Sequence, residues 1–156
     1  WINGKTIVMW DVDYDTFFKD CDEVFKEFLA KYGFIDAGGD EEEYEKFYKS
    51  DYWLIEINML CNFPHIGVCR IFRSTREDPI KGNILEKILQ INFVESSKIY
   101  NKHLKLNTFK TYKGEMLYVR EKLETFYKPL LTGEFTYEDY KKFEASLDEE
   151  EANRSV

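Results

Sequence analysis

Residues 52–73 constrain the fold more than any other stretch. Tyr52 to Cys61 and His65 to Arg73 are two β-prone runs joined by Asn62-Phe63-Pro64. Successive side chains of an extended chain point to opposite faces. Trp53, Ile55, Ile57, Met59 and Cys61 therefore form one apolar row, with Ile66, Val68 and Phe72 expected across from it. Glu56, Asn58, Gly67 and Arg73 make the opposite, polar row. Such alternation belongs to an antiparallel sheet with one face covered. Pro64 has no N–H to give a ladder and so marks the connection. The expected fold is α+β: a mostly antiparallel sheet of three or four strands built on this central hairpin, with four or five helices packed chiefly on one face.

Around the hairpin, Lys5 to Trp10 reads as a first strand after the Asn3-Gly4 turn signal. Phe17, Phe18, Cys21, Val24, Phe25, Phe28 and Leu29 then recur at three- and four-residue steps, the stripe of a core-facing helix that Gly33 ends. Gly38-Gly39-Asp40 is a break, and residues 41–48 fit two turns of acidic helix with Tyr44, Phe47 and Tyr48 inward. Asn83 and Glu86 suggest a capping box opening a helix that extends towards Tyr100. Alternation between Leu104, Leu106 and Thr108 suggests a strand over residues 102–113. Met116, Val119, Leu123, Phe126 and Leu130 step by three and four as a strong helix, which Pro129 ends or kinks. Thr136 with Asp139 opens the last helix, carrying Tyr137, Tyr140, Phe143 and Leu147 inward, and residues 148–156 should fray. The expected core comprises Trp53, Ile55, Ile57, Val68, Phe72, Phe25, Leu89, Val119, Leu123 and Phe126.

A length of 156 residues suits one domain, here residues 1–150 with a polar tail over 151–156. Aromatic residues make up 17% of the chain, enough to fill a core and to argue against disorder. The start at Trp1 rather than Met implies residues upstream of it. No apolar run approaches the roughly 20 residues that span a bilayer. Cys21, Cys61 and Cys69 are an odd number without metal-ligand spacing, so free thiols and a cytoplasmic location are expected. The net charge of −8 is sorted along the chain: −9 over residues 1–64, +6 over 65–128 and −5 over 129–156.

Three chemistries compete. Asp11, Asp13 and Asp15 after a strand could hold a hard divalent cation, since Mg²⁺ and Ca²⁺ take carboxylate oxygens. The loop resembles that of haloacid-dehalogenase phosphatases, but Thr16 falls one residue too late after Asp13 and one too early after Asp15. A metal-dependent enzyme is thus the third reading. The second is a nucleic-acid-binding strip in which Lys98, Tyr100, Lys102, Lys105, Phe109, Lys110, Tyr112 and Lys113 interleave cations with rings. His65 and His103 read as exposed turn residues with no nucleophile motif beside them. No glycine-rich phosphate loop is present, and no cofactor is implied.

The first reading is protein binding. Asp20, Asp22, Glu23, Asp40, Glu41, Glu42 and Glu43 are densely placed carboxylates, and Tyr44 and Tyr48 could anchor a basic partner among them. In character, though without a shared motif, the chain resembles small acidic inhibitors: toxin-immunity proteins and phage-encoded nuclease inhibitors that imitate DNA. That resemblance implies a non-enzymatic protein that binds and inhibits a nuclease, toxin or defence effector.

Overall fold

The computed structural model describes residues 14–40, 42–58 and 68–154. The fold is α+β, with a four-stranded antiparallel sheet whose strands lie side by side in chain order. Helix α1 (Tyr14–Cys21) runs through one π-helical turn (Asp22–Lys26) into α2 (Glu27–Ala30). The strands are β1 (Ile35–Asp40), β2 (Glu45–Lys49), β3 (Trp53–Asn58) and β4 (Val68–Arg73). Then come α3 (Gly82–Ile88), α4 (Phe93–Lys105), a 3₁₀ turn (Thr108–Lys110), α5 (Tyr112–Phe126), α6 (Lys128–Leu131) and α7 (Tyr137–Arg154). No helix among the described residues is long and apolar enough to cross a membrane.

The central hairpin forms, with a register one residue from the expected one. Ile55 faces Ile71, Ile57 faces Cys69 and Trp53 faces Arg73. Phe72 therefore belongs with Leu54 on the opposite face, because a one-residue slip exchanges the faces of a strand, and the side chain of Val68 lies outside the described residues. Trp53, Ile55, Ile57 and Ile71 point into the main core, where they meet Phe25, Leu29, Met116, Leu123 and Leu130 from the helices. Leu89 and Val119 pack on its margin, and Phe126 is half-buried. The other sheet face carries a small cluster of Phe47, Leu54 and Phe72, with the Arg76 guanidinium 4.6 Å from the Phe47 ring centre. Glu56 is buried on that same face, where Arg70 grips it through two hydrogen bonds of 2.7 and 2.9 Å.

The acidic helix expected over residues 41–48 is instead the end of a β-hairpin. Asp40 accepts from the amides of Glu42 (3.0 Å) and Glu43 (3.3 Å), an aspartate turn that competes with helix. Tyr44 follows at φ 52°, and Gly38 at φ 80° lies in a bulge of β1. Beyond the turn, Glu45-Lys46-Phe47-Tyr48-Lys49 pairs with β3 along its whole length. The expected strand over 102–113 is likewise absent: α4 runs to Lys105, and Asn107 at φ 55° leads into the 3₁₀ turn. The helix expected from Asn83 breaks at Gln90, which has φ 52°, and Asn92 caps α4 by accepting from the Val94 amide at 2.7 Å. Asn83 makes no cap. Gly82 already lies in α3, and the Lys81 amide before it donates to the Tyr140 hydroxyl (3.0 Å).

Other signals are realised as read. The stripe from Phe17 to Leu29 is buried except for half-buried Phe18, and the helix unwinds into a turn at Gly33. Thr136 and Asp139 exchange side-chain-to-amide hydrogen bonds of 2.9 and 3.2 Å. Pro129 sits in the first turn of α6, after α5 has ended. The charged C-terminus does not fray at Asp148, since α7 continues to Arg154. The strand expected over residues 5–10 lies outside the described residues, as do Met59, Cys61, Pro64, His65, Ile66 and Gly67.

Candidate functional site

Of the carboxylates singled out in the sequence, Asp22 is held by one buried lysine that joins two elements. Lys46, on β2, points to the helix-covered face and is only 4% exposed. Its Nζ lies 2.8 Å from Asp36 Oδ2 and 3.6 Å from Asp22 Oδ1, over the Phe18 ring. The Tyr48 hydroxyl donates to the same Asp22 oxygen at 2.9 Å. Asp22 stands at the start of the π turn and Asp36 on the edge strand, so this cluster staples the first helix to the sheet. The Asp36 carboxyl is held below its usual range, first by the Lys46 hydrogen bond and then by the Gly38 amide. Burial pushes the Cys21 thiol and the Tyr48 hydroxyl beside it upward, so both stay protonated.

These contacts divide the predicted interface residues. Glu42 and Glu43 are exposed and enter no ion pair among the described residues. Asp40 is exposed but shapes the turn. Glu23 is exposed and paired with Lys113, which keeps its carboxyl below the usual range. Asp20 is half-buried. Asp22 is bonded to Tyr48 and Lys46, and Tyr48, expected as a surface anchor, is 1% exposed and buried instead. Tyr44 is half-buried, edge-on to Phe17 at 6.2 Å, and presents only part of its ring. Glu41 lies outside the described residues. Lys46 and Asp36 were missed, although the alternation from Glu45 to Lys49 was the available signal that this segment is a strand.

The basic segment spends several of its cations on neighbours. Lys98 pairs with Glu95 (3.1 Å), Lys102 with Glu121 (2.7 Å) and Lys113 with Glu23. Lys105, the last residue of α4, and Lys110, the last of the 3₁₀ turn, are exposed. His103, expected in an exposed turn, is 5% exposed. Its ring bridges Glu121 and the Thr108 hydroxyl, pinning α4 to the 3₁₀ turn and α5. Tyr100, Phe109 and Tyr118 close around it with centroid separations of 5.1–6.1 Å between one another. Tyr112 packs against the core.

Beside this aromatic group, a cavity of about 700 Å³ opens between β4, the approach to α3, α4 and α5. Ile71, Ile80, Leu85, Leu104, Val119 and Leu123 give it aliphatic walls, and Tyr100, Phe109, Tyr118 and Tyr127 add rings. Cys69, Glu115 and Lys122 supply polar atoms. Burial pushes the Cys69 thiol up to about 12, against an opposing pull from Lys122, which leaves it a poor nucleophile.

Asp11 and Asp13 lie outside the described residues, as does the side chain of Asp15. Among the described residues no group of histidines, cysteines and carboxylates is arranged to hold a metal ion. Compared with known proteins, the chain matches no family model, no curated protein and no solved structure.

Proposed function

We propose that this is a non-enzymatic cytoplasmic protein that binds and inhibits a basic protein, in the manner of an immunity protein or a nuclease inhibitor. The supporting observation is the Lys46 cluster, which fastens the β1–β2 hairpin to the π turn and so holds rigid a hairpin whose turn exposes Glu42 and Glu43. Rigid charge of one sign speeds encounter with an oppositely charged partner and fixes its orientation. Glu42 and Glu43 supply the outward charge, and the exposed part of Tyr44 supplies a contact from which water can be excluded. The nucleic-acid reading is less favoured, because Lys98, Lys102 and Lys113 already face carboxylates.

The immobilised chain, exposed to soluble proteins of its source cells, should retain a basic protein at low salt that mass spectrometry can identify. Its association rate should fall steeply between low and physiological salt. Replacing Glu42 and Glu43 by Lys should cut that rate by about tenfold or more while leaving the melting temperature nearly unchanged. A captured partner that binds the double reversal at the wild-type rate removes this face as the interface.

A further inference from the structure

We propose that the cavity between β4, α4 and α5 binds a small monoanion with an apolar body, a medium-chain or aromatic carboxylate, with its head group at Lys122. The cavity is a concave opening of about 700 Å³ at the surface, with half-exposed Leu104 and Tyr100 at its mouth. Its volume falls in the range of small-molecule sites, and its walls are mostly aliphatic and aromatic, as such sites are. The body of the ligand is therefore apolar.

The sign of the head group follows from the polar atoms. Arg70 lines the cavity, but its guanidinium is committed to Glu56, and side-chain alternation puts it on the sheet face opposite Cys69 and Ile71. Lys122 is the remaining cation of the wall. Its Nζ lies 5.6 Å from the centre of the Tyr118 ring and faces no carboxylate among the described residues. Tyr118 and Tyr127 also line the cavity, and burial raises both phenols, so they add no negative charge to its wall. An ammonium without a carboxylate partner in the wall of an apolar cavity suits a carboxylate ligand. Lys122 brings a single positive charge to the wall, which matches a single negative charge on the ligand.

The test is calorimetric titration of the intact chain with decanoate, decanol and decylammonium, each below its micelle threshold. Decanoate should bind at least about tenfold more tightly than decanol, the increment of a charge-assisted hydrogen bond. Decylammonium should bind least. Lys122→Met should bring decanoate down to the affinity of decanol and leave decanol unchanged. Leu104 lines the cavity but is half exposed, so Leu104→Trp can fill the space without repacking the core and should abolish binding of both. Equal affinity for decanoate and decanol, no binding of either, an unchanged affinity in Lys122→Met, or binding that survives Leu104→Trp would each overturn the proposal.

Discussion

Lys46 shows how much one side chain can decide. A buried ammonium is costly unless it is paired, and here two aspartates and two aromatic rings surround it. Lys46→Met would leave Asp22 and Asp36 facing each other without a cation. The expected loss is about 2 kcal/mol, below the cost of breaking a fully buried pair because both carboxylates are about a third exposed. The pH dependence has a definite sign. Asp36 titrates lower in the folded chain than in the unfolded one, so its contribution is complete above the unfolded value and is lost as pH falls through the folded value. Melting temperatures between about pH 7 and pH 2 should decline less steeply in Lys46→Met than in the wild type. Parallel declines would show that Asp36 is not linked to folding through Lys46. Ile57 gives a sharper case, being fully buried opposite Cys69. Ile57→Asp should cost several kcal/mol, on the order of the whole stability of a domain. Circular dichroism that still shows a melt within a few degrees of wild type would be incompatible with this face being core.

Elements with strong periodicity were legible in the sequence, and elements set by turn chemistry were not. The Phe17–Leu29 stripe, the β3 alternation and the Met116–Leu130 steps each carry enough apolar positions to fix both type and face. The β1–β2 hairpin is different. Its turn depends on the Asp40 carboxylate taking two backbone amides, and the acidic run between the strands has equally good helical propensity. The register of β4 was off by one because Val68-Cys69-Arg70-Ile71-Phe72 offers an apolar residue to each face at once. The cavity had no sequence signature, since its lining comes from segments that only folding brings together. At Gly114 the constraint is a close approach: a methyl there would lie 1.6 Å from the Thr108 carbonyl oxygen. Gly114→Ala should therefore push the 3₁₀ turn off α5 and cost about 3 kcal/mol, readable as a lowered denaturant midpoint. A midpoint equal to wild type would mean that the turn can withdraw without loss.

Across the whole molecule the charge segregation of the sequence is partly cancelled by folding. Lys113 of the basic middle reaches Glu23, while Arg73 and Lys81 reach Glu138 and Glu144 of α7 at 3.6 and 3.9 Å. Exposed pairs of this kind add little stability individually. At the β1–β2 turn Glu42 and Glu43 are left without such a pair among the described residues. The chain-order arrangement of the four strands has a further consequence for biosynthesis. Each strand pairs with its neighbour in sequence, so the sheet can assemble as the chain leaves the ribosome. The first helix is already available to cover Tyr48 through Phe25. Trp53, however, stacks on Phe135 and meets Tyr137 edge-on, and both are made long after it. At roughly 5–20 residues per second the nascent sheet spends several seconds with that end of its apolar face open, a window in which chaperones have access to it.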